Sequence, residues 1–174
     1  MLQDKREFDI IVWGASGFTG RLVAEYLFKK YNTKDLNWAI AGRNNTKLMS
    51  VRDSYLDNSI PILIADSFDE ISLNKITMRT KVICSTVGPY SKYGSLIVKS
   101  CIESGTDYCD LAGESQWIRK MIDSYHKKAE SNRVKIVNSC GFDSIPSDMG
   151  VYYIFNDILK KDLQISMRVT GVKG

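Results

Sequence analysis

Residues 8–13, Phe8-Asp9-Ile10-Ile11-Val12-Trp13, run straight into Gly14-Ala15-Ser16-Gly17-Phe18-Thr19-Gly20 and then into a helix-forming stretch. An apolar run, a turn with glycine at every third position and a helix start describe the opening half of a βαβ unit that holds a nucleotide. Gly14 permits the tight turn, Gly17 lets the backbone approach a diphosphate, and Gly20 allows the helix to press on the strand. The helix then aims its unpaired N–H groups at the negative charge. Glycines alone are a weak signal, because turns and close packing also select them. The strand–turn–helix context carries the weight.

The same alternation continues along the chain. Phe18, Leu22, Val23, Tyr26 and Leu27 recur at three- and four-residue spacing, which predicts a helix to about Tyr31 with that face on a sheet. Short apolar runs at 36–41, 60–65, 81–86, 106–111 and 134–137 read as buried parallel strands. Helices are expected at about 46–56, in a short piece capped by Asp66 or Ser67, at 93–103 before Gly105, at 115–131, and from Pro146 to about Leu159. Such a chain is α/β: a doubly wound, mainly parallel Rossmann-type sheet with helices on both faces. Residues 1–160 form the nucleotide-binding domain. Residues 161–174, with alternating polarity at 163–170, begin a second domain or add an edge strand.

Composition narrows the functional classes. With 174 residues, 44% hydrophobic and 25% charged, the chain is an ordinary globular one. Its +4 charge is scattered; the pairs Lys29-Lys30, Lys127-Lys128 and Lys160-Lys161 are expected at helix ends. Without an aromatic–basic platform, nucleic acid is not the expected partner. Cys84, Cys101, Cys109 and Cys140 form no Cys-x-x-Cys pair and are read as free thiols. There is no apolar run long enough to span a membrane, and the expected location is cytoplasmic. His126, the single histidine, lies beside lysines, so a zinc site is not expected.

In a parallel sheet, ligands bind beyond the carboxyl ends of the strands. The loops expected there are residues 14–20, 42–44, the Asp66 turn, 87–90 and 140–144. Ser16, Phe18 and Thr19 offer backbone N–H groups, and Thr19 a hydroxyl. The second strand ends Ala41-Gly42-Arg43-Asn44, without the acid that would take a ribose 2′-hydroxyl. Arg43 instead offers a fork of donors to a 2′-phosphate, so NADP(H) is preferred and NAD(H) is the alternative. Asp66 either flanks adenine or caps a helix. Val87, Gly88 and Pro89 line the path to the nicotinamide, and Tyr90 either bonds to cofactor or substrate or packs with its hydroxyl in water. Asp110 and Glu114 read as turn and cap residues. No catalytic acid or base is legible. The turn lacks the Gly-Lys-Ser/Thr ending of a phosphate-hydrolysing loop, and Tyr93 has Ile97, not lysine, four positions on.

The motifs at 14–23, 41–43 and 86–90 resemble those of the saccharopine dehydrogenase-like oxidoreductases, including trans-acting enoyl reductases. So do Cys101-Ile102-Glu103-Ser104-Gly105-Thr106-Asp107-Tyr108-Cys109-Asp110-Leu111-Ala112-Gly113-Glu114 and Cys140-Gly141-Phe142-Asp143-Ser144-Ile145-Pro146-Ser147-Asp148. The resemblance implies a nucleotide-binding domain followed, in longer members, by an inserted α/β domain. It implies that Gly14, Gly17 and Gly20 hold the cofactor phosphates, that Arg43 lies near the adenosine end, and that residues 87–90 line the nicotinamide side. The expected function is the cofactor-binding part of an NADP(H)-dependent oxidoreductase acting on a small or lipid-like substrate. A truncated chain of this kind is expected to turn over poorly, and its uncovered apolar surface favours a homodimer. A non-enzymatic Rossmann-fold scaffold is the alternative.

Overall fold

The computed structural model describes residues 6–31 and 35–157. Along them strands and helices alternate: β1 (Phe8–Trp13), α1 (Phe18–Lys30), β2 (Trp38–Gly42), α2 (Asn45–Tyr55), β3 (Ile62–Ile64), α3 (Glu70–Thr77), β4 (Thr80–Ser85), α4 (Tyr90–Ser104), β5 (Asp107–Asp110), α5 (Ser115–Asn132), β6 (Ile136–Val137) and α6 (Ile145–Asp157). The strands form one sheet in the order β3-β2-β1-β4-β5-β6, and each neighbouring pair is parallel. The chain therefore builds outward from β1 in one direction, then returns to β4 and builds in the other. Between β1 and β4 the order reverses, which opens a crevice at their carboxyl ends.

The strands are apolar on both faces because both faces are covered. Val12 and Ile40 pack with Ala24 and Leu27 of α1 and Leu48 of α2. On the opposite face Ile11, Trp13, Ile83 and Tyr108 meet Leu73 and Ile76 of α3, Ile97 and Cys101 of α4, and Trp117 and Met121 of α5. Each such large side chain, fully buried, contributes about 1.5–3 kcal/mol. Gly105 ends α4 in the left-handed region at φ 70°. All four cysteines are free, as expected.

Several local expectations are corrected. In α1 the buried line is Gly20, Ala24 and Leu27, whereas Phe18, Leu22 and Tyr26 are exposed. Gly20 has to sit on the Gly14 carbonyl, and that contact rotates the small residues toward the sheet. Asp69, not Asp66 or Ser67, caps α3, accepting from Ile71 N at 3.0 Å. α4 starts at Tyr90, three residues earlier than periodicity suggests. Lys127 and Lys128 lie inside α5, which continues to Asn132; Lys128 Nζ donates to Glu103 at 2.7 Å.

Two units are distinguishable, Met1–Gly141 and Phe142–Gly174. The first holds the whole sheet and α1–α5. In the second, α6 carries Pro146 and Asp148 in its first turn, and Ser144 O accepts from Asp148 N at 3.0 Å. The expected end of this helix near Leu159, the domain boundary at 160/161 and the strand at 163–170 lie outside the described residues.

Candidate functional site

The turn after β1 is built by backbone geometry. Gly14 N donates to Ala41 O at 2.8 Å, fixing the turn to the end of β2, and Gly17 N donates to Gly14 O at 2.9 Å. Gly14 has φ 91°, where a side chain would be strained, and a Cβ there would come within 2.5 Å of Val87 Cγ2. A Cβ on Gly20 would overlap the Gly14 carbonyl oxygen and lie 2.7 Å from Thr86 Oγ1. Thr86 in turn donates from its N (2.9 Å) and its Oγ1 (3.0 Å) to Trp13 O. The β1 and β4 loops are thereby locked together at the reversal point. No side chain caps α1 at Gly17, and its first turn holds no acid. α2 and α3 differ, since Asn44 and Asp69 occupy their amino ends.

A cleft of about 330 Å³ opens over this turn, lined by Gly14, Ser16, Gly17, Arg43, Asp66, Val87 and Gly88 together with Trp13, Gly42, Ser67, Phe68, Thr86 and Tyr93. The first seven are among the residues expected at the site. Gly20 is buried behind the turn, and the Phe18 and Thr19 side chains are exposed, which leaves these three outside the cleft wall. Pro89, at the amino end of α4, is also outside it. Asp66 Oδ1 accepts from Phe68 N at 2.8 Å, so its carboxylate shapes the loop after β3. Phe68 and Tyr93 had no signal in the sequence, because each looks like a helix-face residue; Trp13, 1% exposed, is a core residue that only borders the cleft. Only the approach of the loop after β3 to the first turn of α4 brings the Phe68 and Tyr93 rings into one cleft.

Tyr90 is corrected more sharply. Its ring is buried and lies 5.5 Å from Trp117, and its hydroxyl donates to Ser85 O at 3.1 Å. Burial pushes the phenol up to about 12, against the opposing Leu111 N–H. It is neither a cleft donor nor water-facing; it braces β4 against the following loop. Glu114 also has a different role from the one its position suggests. It accepts from Tyr90 N at 2.6 Å and Ser91 N at 2.9 Å, capping α4 rather than its own helix. Hydrogen bonds from the Ser91 hydroxyl and from these two N–H groups hold its carboxyl below 4.5. Asp110, 2% exposed, accepts from Tyr108 Oη (2.9 Å), Ala112 N (3.0 Å), Asn138 Nδ2 (2.8 Å) and Ser139 N (3.1 Å). It ties the loops after β5 and β6 together. Of the loop expected at 140–144, Cys140 N donates to Asp110 O at 2.7 Å, while Asp143 and Ser144 belong to the second unit.

A second hollow, about 360 Å³, lies among α4, α5 and β6 and includes Met121, Tyr125, His126 and Ile136. It holds none of the expected site residues. Tyr26 and Lys30 have the spacing of a reductase Tyr-x-x-x-Lys pair, but both are exposed on α1 and neither lines the cleft. Among the described residues no helix is long and apolar enough to cross a membrane.

Known proteins place this arrangement. The trans-acting enoyl reductase of Mycobacterium leprae (strain TN) is 41% identical over 162 residues, which are 92% of this chain and 38% of that protein. The trans-acting enoyl reductase of Mycobacterium bovis (strain BCG / Pasteur 1173P2) is 42% identical over 153 residues, 87% of this chain and 36% of that one. The chain thus spans little more than a third of the length of these relatives. Apo saccharopine dehydrogenase (L-Glu forming) from Saccharomyces cerevisiae shares the fold with TM-score 0.71 at 19% identity, over 87% of this chain and 31% of that one. Triphenylmethane reductase from Citrobacter sp., solved with NADP(H), does so with TM-score 0.57 at 18% identity, over 75% of this chain and 48% of that one. Residues 10–137, from inside β1 to the end of β6, match the family described as the saccharopine dehydrogenase NADP binding domain. They take in every cleft residue named above, and by that match the chain belongs to this family, as an NADP(H)-binding, oxidoreductase-like domain.

Proposed function

We propose that this chain binds NADP(H) for an oxidoreductase that, as a whole protein, reduces an enoyl or similar lipid-like acceptor. One observation carries the reading. The uncapped start of α1 and Arg43 share a cleft, and β2 ends without an acid that would prefer a free ribose hydroxyl. The residues present suit the cofactor: the glycine turn offers N–H groups to the diphosphate, and a Cβ at Gly14 or Gly20 would collide with the turn's own neighbours. Arg43, which lines the same cleft, would take a 2′-phosphate. Val87 and Gly88, on the β4 side of the turn, would flank the nicotinamide half. When bound, reduced nicotinamide supplies a hydride; the chain's part is to hold and orient it. That the relatives are trans-acting enoyl reductases supports the enoyl class.

Titration of the purified chain with NADPH and NADH tests the cofactor choice. NADPH is expected to bind more tightly, and Arg43→Ala to weaken NADPH by about tenfold while leaving NADH unchanged. Equal loss for both cofactors would remove Arg43 from the 2′-phosphate site. For the reaction, the full-length protein is assayed for NADPH oxidation with an enoyl thioester panel. Consumption of none of them, with NADPH bound, would favour a non-enzymatic role.

A further inference from the structure

The loop after β3 presents an aromatic ring that the fold's own packing does not account for. Phe68 is 60% exposed. Its backbone is nonetheless held: Asp66 Oδ1 accepts from Phe68 N at 2.8 Å, Asp66 O from Asp69 N at 3.0 Å, and Ser72 Oγ from Asp66 N at 3.0 Å. Tyr93 of α4 meets the Phe68 ring at 5.4 Å between centroids, with the planes at 57°. Both rings line the cleft over the glycine turn. An exposed phenylalanine gives up stabilisation that burial would supply, and a polar residue would serve a turn equally well. A ring fixed from behind, with a free face beside an anion-binding turn, is suited to a planar base.

Strand order says which base. β2 and β3 lie on one side of β1, and β4 on the other. With a diphosphate on residues 14–20, one half of the dinucleotide extends toward Arg43 and the loop after β3, the other toward Val87 and Gly88. We propose that Phe68, braced by Tyr93, is the stacking platform for the adenine of the bound dinucleotide. This rests on the NADP(H) reading above and adds to it a residue that sets affinity for the adenosine half.

The test compares wild type, Phe68→Ala, Phe68→Leu and Phe68→Tyr by calorimetric titration. The ligands are NADPH, adenosine 2′,5′-bisphosphate and reduced nicotinamide mononucleotide. Phe68→Ala and Phe68→Leu should each weaken NADPH and the bisphosphate by about tenfold, with the mononucleotide unaffected. Phe68→Tyr, which keeps the ring, should bind as wild type does. Wild-type affinity in Phe68→Leu would overturn the proposal, since bulk without a π face would suffice. Parallel loss of all three ligands would also overturn it, because the loop and not the base contact would then be at fault. Wild-type protein that takes up neither NADPH nor NADH would instead bring down the cofactor reading, and this inference with it.

Discussion

At the scale of single residues, Gly17 and Gly20 separate binding from folding. A Cβ at Gly20 collides with backbone of the same turn, which has no soft side chain to yield, whereas at Gly17 it would lie 3.3 Å from Gly14 O with φ an ordinary −81°. Gly20→Ala should therefore cost about 2–3 kcal/mol and lower the melting temperature by about 5–10 °C. Gly17→Ala should melt near wild type yet lose NADPH, because its methyl group occupies the approach to the phosphates. Calorimetry with a parallel titration checks both. Glycine spacing made these positions legible. Tyr90 was not legible, because whether a tyrosine hydroxyl meets a ligand or the Ser85 carbonyl depends on which way the helix behind it starts.

At the scale of elements, the amino end of α4 depends on a carboxylate that arrives from the start of α5. Glu114 is held below the ordinary carboxylate value by its bonds to Ser91 and Tyr90. A lowered value in the folded state means the stabilisation is complete above the unfolded value near 4.5 and is lost as pH falls through the folded one. Glu114→Gln should thus melt below wild type at neutral pH, with the gap closing as pH falls below the ordinary carboxylate value and through the lowered folded one. A gap that persisted unchanged into acid would mean that shape, not charge, matters at this cap. Rules for helix caps look a few residues along the chain, so they assigned Glu114 to α5. Its partners stand 23 and 24 residues away. The cap of α3 is local by contrast: Asp69 accepts from Ile71 N two residues on, and it was missed because the helix starts at Glu70, not directly after Asp66 or Ser67.

For the whole molecule, cofactor binding and stability are linked. A ligand that binds only the folded state at about a hundred times its dissociation constant adds about 2.7 kcal/mol. Saturating NADPH should accordingly raise the melting temperature by about 5–10 °C, and NADH by less at the same concentration. An identical rise with both would contradict the preference assigned to Arg43. Under the proposed reading, the sheet order lets one cleft take both halves of a dinucleotide: reversal at β1 and β4 spreads the β2, β3 and β4 loops around a single glycine turn.

Local rules were enough for the alternation of strands and helices, the glycine turn after β1 and the absence of an acid after β2. Each depends on neighbours within a few residues: apolar runs make strands, glycine makes the turn, and side-chain type sets what a loop can bind. The pairing of Phe68 with Tyr93 at the cleft, the internal role of Tyr90 and the reach of Glu114 to α4 were decided by tertiary packing alone. These features join residues from different βα units, and only closure of the sheet, with its helices laid down on it, brings those units within contact of one another.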